Sequence, residues 1–140
     1  VKMKKYTHTI FLIFLVVLLV SCAGRLKPVY NVKNHPLNGT AQKLSLKQIA
    51  NVIFTSGMRR NWVMEEIDPG VIRATLRVRS HTAVIDIKYR KSDYSIEYVS
   101  SVDLKYNGTL IHRNYNRWIT NLVTDINREF NAVGIRSIKQ

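Results

Sequence analysis

The sequence predicts an α+β domain: a two-layer sandwich in which an antiparallel β-meander of three to four strands is flanked by an N-terminal and a C-terminal amphipathic helix. Apolar residues recur at three- and four-residue spacing over residues 46–58 and 115–130, and apolar and polar residues alternate over residues 72–98. The first pattern is typical of a helix with one apolar face and the second of half-buried strands. A sheet with one apolar face needs a cover, and these two helices are available to form it.

Both predicted helices have recognisable ends. The apolar face of the first consists of Leu46, Ile49, Ala50, Ile53, Phe54 and Met58. Ser45 precedes this face and can act as the N-cap, and Gly57 lies near the end, where glycine is common. The second helix has an apolar stripe and should end near Gly134. That stripe consists of Tyr115, Trp118, Ile119, Leu122, Val123, Ile126 and Phe130.

The register of the main strands follows from the rule that apolar residues face one another across a half-buried sheet. A loop at residues 80–81 would pair Leu76 with Ile85, and the next loop would pair Ile87 with Ile96. Apolar residues then meet apolar residues in every row of both hairpins. The two hairpins therefore predict one continuous meander.

The remaining turns are less regular. A strand at residues 62–67 precedes a turn signal at residues 68–70, and pairing across that turn would place Trp62 beside Arg77. Asn107-Gly108 is another turn signal, which either closes a short hairpin or shapes a loop.

An apolar leader precedes the predicted domain. Lys2, Lys4 and Lys5 are followed by 11 apolar residues, 10–20, and by small residues around Cys22, which is the layout of a secretory signal peptide. A membrane-spanning helix would need about 18 apolar residues. Cys22 is the only cysteine, so it cannot form an internal disulfide, and its neighbours offer no second metal ligand.

The order Leu-Val-Ser-Cys-Ala at residues 19–23 resembles the lipobox of bacterial lipoproteins. The resemblance implies that the Cys22 thiol receives a diacylglyceryl group, that cleavage occurs before Cys22, and that the new amino terminus is acylated. Several acyl chains would hold firmly, since each buried methylene contributes about 0.8 kcal/mol. Ala23 in place of Asp implies the periplasmic face of the outer membrane rather than the inner membrane. The alternative is a plain signal peptide with an incidental cysteine.

The chain therefore divides into a signal peptide (1–21), a lipidated cysteine with a flexible tether (22–43), and one α+β periplasmic domain (44–140). The tether is predicted because its residues show little apolar periodicity and include two prolines. About 20 flexible residues would span roughly 25 Å.

Charge suggests a class of partner. Cleavage removes three of the 22 basic residues and none of the nine acids, so 19 basic and nine acidic residues remain and the net charge is +10. Such a chain is attracted to polyanions, namely lipopolysaccharide phosphates, anionic lipid head groups or nucleic acid. Nucleic acid is not expected as a partner of a lipid-anchored periplasmic protein. The alternative is that the charge serves solubility.

No catalytic or metal-binding pattern is found in the sequence. His35, His81 and His112 lack the spacing of metal ligands. Asp86 would face Glu97 on the exposed side of the sheet, which could raise the pKa of one carboxyl, although nearby arginines favour a neutralised network. No nucleophile triad or phosphate-binding glycine loop is present. We therefore expect neither an enzyme nor a cofactor.

The exposed sheet face is the candidate binding surface. Its predicted members are Trp62, Arg73, Arg77, Arg79, Lys88 and Arg90. Arginine beside an aromatic ring can bind phosphate or stack on a planar ligand. The alternative is that these residues only pack on one another and protect the sheet edges.

A set of residues spans most of the domain: Pro69-Gly70, Ile72, Ala74, Arg79, His81, Ala83, Ile87, Tyr89, Tyr94, Ile96, Tyr98, Ile111-His112, Tyr115-Asn116 and Trp118-Ile119. It resembles a family of small proteobacterial lipoproteins that have no assigned function. The resemblance implies the same fold and the same location, and no activity.

These observations predict a non-catalytic lipoprotein, anchored in the outer membrane, that binds an envelope protein or supports assembly. The alternative is a direct binder of an anionic envelope polymer, lipopolysaccharide or anionic lipid, through the basic sheet face.

Overall fold

Antiparallel strands and two helices make up the structure, a computed structural model that describes the backbone of residues 24–138 and the side chains of residues 24–133. The predicted signal peptide and Cys22 lie outside the described residues. In chain order the elements are β1 (Leu26–Pro28), β2 (Val32–Pro36), a 3-10 helix (Gly39–Lys43), α1 (Leu46–Met58), β3 (Val63–Asp68), β4 (Val71–Val78), β5 (His81–Tyr89), β6 (Asp93–Val102), β7 (Leu110–His112) and α2 (Arg113–Ile138).

Five of the strands form one antiparallel sheet in the order β2-β6-β5-β4-β3, and β1 pairs with β7 in a separate two-stranded sheet. The α+β class is therefore confirmed. The sheet is larger than the three to four strands predicted, because β2 joins it at one edge. The two-layer packing of helices and sheet stays a prediction.

One face of the large sheet is apolar, as the alternation predicts. The buried residues are Ile72, Ala74 and Leu76 of β4, Ala83, Ile85 and Ile87 of β5, and Tyr94 and Ile96 of β6. They belong to one core cluster with buried residues of both helices. The opposite side, here called the outer sheet face, consists of Arg73, Thr75, Arg77, Val84, Asp86, Lys88, Ser95 and Glu97.

The predicted register is confirmed for one hairpin and wrong for the other two. Ile87 pairs with Ile96 as predicted. In the preceding hairpin Leu76 pairs with Ala83, not Ile85, so that register is displaced by two residues. The turn there consists of residues 79–80, and it is this tight because Arg79 adopts a left-handed φ of 56°. A displacement of two residues keeps every side chain on its predicted face.

The pairing of β3 with β4 also differs from the prediction. Glu66 lies opposite Ile72, and a bulge between Glu66 and Asp68 absorbs Ile67. A bulge places two residues opposite one, so counting back from the turn gives the wrong partners. The last pairing of β3 joins Val63 to Thr75, and the following residues of β4 therefore have no partner on that side.

The prediction of a flexible tether is wrong for residues 26–43. Two strands and a 3-10 helix lie in this segment, and β2 pairs with β6. Val32, Leu37 and Ala41 are buried in the core. The segment shows no apolar periodicity because its strands are short and only one residue of β2 is buried.

The first helix, α1, begins at its predicted cap, whereas α2 does not end at the predicted glycine. Ser45 caps α1 through a capping box, in which Ser45 Oγ accepts from Gln48 N–H and Gln48 Oε1 accepts from Ser45 N–H. The second helix continues past Gly134 to Ile138. Among the helices of the described residues, none is both long enough and apolar enough to cross a membrane.

The side chain of Asn107 stabilises the loop between β6 and β7. Asn107 Oδ1 accepts hydrogen bonds from the N–H groups of Thr109 and Leu110. β7 then pairs with β1, so Asn107-Gly108 shapes a loop rather than a hairpin.

Substitution of Leu37 tests whether the N-terminal segment belongs to the folded domain. Leu37 is 2% exposed, so Leu37→Ala should lower the free energy of unfolding by about 3 kcal/mol through lost burial and a cavity. Denaturant titration of the full chain measures this value. The exposed neighbour Lys33 supplies the control, since Lys33→Ala should change it by no more than about 0.5 kcal/mol. If Leu37→Ala and Lys33→Ala both left the free energy of unfolding nearly unchanged, the prediction of a flexible tether would be correct after all.

Candidate functional site

The outer sheet face is not the basic surface that the sequence predicts, because acids neutralise it. Arg73 makes a bidentate ion pair with Asp86 on the neighbouring strand, with N–O distances of 2.8 and 2.9 Å. The hydrogen bonds to Asp86, together with its charge, raise the pKa of Arg73. Lys88 Nζ lies 2.7 Å from Glu97 Oε2. Asp86 and Glu97 are opposite each other as predicted, and each carboxylate has its own cation.

Arg90 is also paired, at the end of β5. Its Nε lies 2.8 and 2.9 Å from the two carboxylate oxygens of Asp93. Hydrogen bonds from Ser92 and Arg90 lower the pKa of Asp93. Three of the five predicted basic binding residues therefore form ion pairs, which leaves Arg77 and Arg79 without an acidic partner in the described part of the chain.

Trp62 does not lie on the outer sheet face. It is 3% exposed and belongs to the core. The chain leaves α1 through a turn in which Asn61 has a φ of 61° and Trp62 N–H donates to the Gly57 carbonyl. This turn directs the indole inward before β3 begins. The prediction of an exposed Trp62 in the sheet is wrong because Trp62 precedes the strand.

Trp62 and Arg77 nevertheless meet in a cleft of about 360 Å³, here called the arginine cleft. It lies where α1 ends, where β4 extends beyond its pairing with β3, and beside the first turns of α2. Its lining residues are Arg59, Arg60, Asn61, Trp62, Leu76, Arg77, Val78, Trp118 and Asn121. Three guanidinium groups, two indoles and two amides border it, and no carboxylate does. Both tryptophans of the protein are among these residues.

Two of the three arginines are held by α2. Arg60 makes a bidentate ion pair with Asp125, and Arg59 Nη1 lies 2.6 Å from Glu129 Oε2. Arg77 has no such partner among the described residues and is exposed. Arg77 is thus the cation of the cleft whose charge is available to a ligand.

Asp125 joins α2 to the residues that follow α1 through an ion pair with Arg60. Its side chain is only 4% exposed, and it accepts hydrogen bonds from Arg60 and from Arg128. The hydrogen bond from Arg60 is the main cause of its lowered pKa, and the positive charges of Arg60, Arg128 and Arg59 act in the same direction. Burial of a charge is tolerated here because cations pair with it.

A wider cleft of about 540 Å³ lies between the start of α1 and the end of β5. Two of its polar side chains are already engaged, since Tyr89 OH donates to Glu66 Oε1 at 2.8 Å and Arg90 pairs with Asp93. Burial and this bond raise the pKa of Tyr89 to about 12. The described residues include no group of three or more His, Cys, Asp or Glu placed to hold a metal ion. The arginine cleft is therefore the better candidate site.

Sequence reasoning identified Trp62 and Arg77 but missed the rest of the cleft. The run Arg59-Arg60-Asn61-Trp62 was a usable signal, because it concentrates cations and an aromatic ring directly after a predicted helix. Trp118 and Asn121 are three residues apart and so share a face of α2. Their meeting with Arg77 depends on tertiary packing.

Acid titration tests the pairing of Asp125. Because its folded pKa is lowered, its stabilising effect is present above its unfolded pKa of about 3.9 and is lost as the pH falls through the folded value. Asp125→Asn should reduce the free energy of unfolding at pH 7 by about 1–3 kcal/mol and flatten its decline below pH 5. Urea titrations at several pH values measure both. The exposed Asp68→Asn is the control and should keep the wild-type slope, whereas a wild-type slope in Asp125→Asn would contradict the assignment.

No protein-family model, curated protein or solved structure matches this chain. The resemblance to small proteobacterial lipoproteins therefore stays a prediction.

Proposed function

We propose that the protein is a non-catalytic binding module of the bacterial cell envelope, anchored through lipid on Cys22 at the periplasmic face of the outer membrane. The arginine cleft binds an anionic group of an envelope partner. The single observation that carries this assignment is the exposed Arg77, without an acidic partner among the described residues, in a cleft that both tryptophans line and no carboxylate does.

The chemistry of the cleft favours an anion attached to an apolar or planar group. Guanidinium groups bind phosphate and carboxylate through paired hydrogen bonds. Indole faces bind sugar or other flat apolar surfaces. The half-buried Trp118 is the ring that can do so here, because Trp62 is buried. Asp125 and Glu129 already pair with Arg60 and Arg59, so Arg77 supplies the charge that is free for a ligand.

Direct binding of lipopolysaccharide or anionic lipid over the outer sheet face is the alternative. It receives less support, because Arg73, Lys88 and Arg90 are already paired with acids. A polyanion would have to displace Asp86, Glu97 and Asp93 from them.

Tryptophan fluorescence provides a direct test, because both tryptophans line the cleft. N-acetylglucosamine 1-phosphate, an anionic sugar, should change the emission of the full chain with saturation, and neutral N-acetylglucosamine should not. Arg77→Glu should weaken the binding at least about tenfold by replacing attraction with repulsion.

The control variant reverses the charge of a basic residue that does not line the cleft. Lys33 is exposed on β2, and Lys33→Glu should bind the phosphate as the wild type does. An equal loss of affinity in both variants would indicate non-specific attraction of the sugar phosphate. Wild-type affinity in Arg77→Glu would contradict the proposal that the cleft is the binding site.

The lipid anchor has a separate test. Intact mass of membrane-fractionated protein should show cleavage before Cys22 and added acyl groups, whereas Cys22→Ala should stay unprocessed because it lacks the thiol that is acylated. Wild-type protein that is cleaved but not acylated would overturn the anchor and leave the binding assignment unaffected.

A further inference from the structure

A second group of cations lies at one end of the domain, next to the arginine cleft, because His81 pairs with Val78 of that cleft. Arg25, Lys105 and Arg113 are exposed there around the half-buried rings of His81 and His112, and these five residues are here called the basic end. β1 and β7 assemble it, since Leu26 pairs with His112 and Arg113 N–H donates to the Arg25 carbonyl at 2.8 Å.

Backbone contacts bring the other members to the same place. His112 N–H donates to the Leu104 carbonyl at 2.9 Å, directly beside Lys105. The rings of His81 and His112 stack with centroids 6.2 Å apart. His81 Nδ1 donates to the Asp103 carbonyl at 2.8 Å. Four separate chain segments therefore converge at this end.

Positive charge at the basic end is not neutralised by a free acid. The carboxylate that contacts the group in the described part is Asp103, and it is engaged by Ser80 Oγ at 2.5 Å and by His81. The first turn of α2 contains no acid. Burial is the main cause of the lowered pKa of His112, and repulsion from His81, Arg113, Lys105 and Arg25 adds to it.

Covalent geometry limits how far this end can lie from an anchor at Cys22. Three residue steps join Cys22 to Arg25, and a fully extended chain covers about 11 Å in three steps. Because residues 26–43 are part of the fold rather than a tether, the domain has no greater reach. That distance is close to the Debye length of about 8 Å at physiological salt.

We propose that the basic end rests on the anionic lipid head groups of the membrane that holds the anchor, so that the domain has a fixed orientation on that membrane. This inference rests on the proposed anchor for the identity of the membrane. Each cation near an anionic surface contributes about fivefold to binding, so three contribute on the order of 100-fold.

Energy transfer from a fluorophore on the domain to labelled lipid head groups tests the orientation. In the acylated protein the Cys22 thiol is blocked, so a cysteine introduced by Val102→Cys, at an exposed position that pairs with Thr82, is the only reactive thiol. A label there reports on the basic end, and a label at Ser92→Cys reports on the opposite end of the sheet, in the β5–β6 turn. The acylated chain is reconstituted in phosphatidylcholine vesicles with or without phosphatidylglycerol.

Transfer from position 102 should exceed transfer from position 92, and phosphatidylglycerol should widen the difference. Arg25→Glu/Lys105→Glu/Arg113→Glu should abolish that widening, as should salt at about 0.5 M. The matched control, Lys33→Glu/Lys43→Glu/Lys91→Glu, reverses three exposed charges elsewhere and should behave as the wild type. The milder Arg25→Gln/Lys105→Gln/Arg113→Gln keeps the test valid if the reversal fails to fold.

Equal transfer from both positions in acylated, vesicle-bound protein would overturn the inference and leave the anchor intact. Reversal of the widening by inorganic phosphate would also overturn it, because it would indicate a discrete anion site. If intact mass shows no acyl group, the anchor has failed, and the processed chain is then titrated with the same vesicles. The inference in that case requires wild type to bind phosphatidylglycerol vesicles about 100-fold more tightly than the triple glutamate variant, and equal binding would refute it.

Discussion

Backbone pairing of the N-terminal segment, β1 with β7 and β2 with β6, is the constraint on which the arrangement of this protein's surface depends. It completes the core with Val32 and Leu37, and it places Arg25 against the start of α2. The same pairing makes part of the fold from residues that the sequence predicts to be a flexible tether. With the proposed anchor on Cys22, a domain without a tether would move little relative to that anchor, and the end of the domain at which the chain enters would face the membrane.

The distribution of charge, rather than its total, distinguishes one surface from another. The acids concentrate where the sequence suggests a basic face: Asp86, Asp93 and Glu97 pair with arginine and lysine along the sheet. Exposed ion pairs of this kind contribute little to stability, about 0–1 kcal/mol each, but they remove those cations from competition for a ligand. Cations without an acidic partner among the described residues include Arg77 in the arginine cleft and Arg25, Lys105 and Arg113 at the basic end. Net charge therefore predicts an attraction to anions but not its location.

The two proposed surfaces have different physical characters, which suits them to different partners. The cleft is a concave site of about 360 Å³ lined by both tryptophans and by Arg77, as expected for one anionic group of defined shape. The basic end is open, and its flexible cations surround two stacked imidazoles, as expected for a diffuse array of head groups. Because Val78 of the cleft pairs with His81 of the basic end, a domain held in one orientation by the basic end would keep the cleft close to the membrane surface.

The sequence by itself determined the α+β class, the buried face of each central strand, the Ser45 cap and the register of β5 against β6, because periodicity and capping are local properties. It also identified Trp62 and Arg77 as residues of interest. Only the tertiary structure decided the register of β4 against β5, since a shift of two residues leaves every face unchanged. The burial of Trp62, the pairing of β1 and β2, and the ion pairs of the outer sheet face were likewise decided there. Each depends on partners distant in the chain, which no local pattern records.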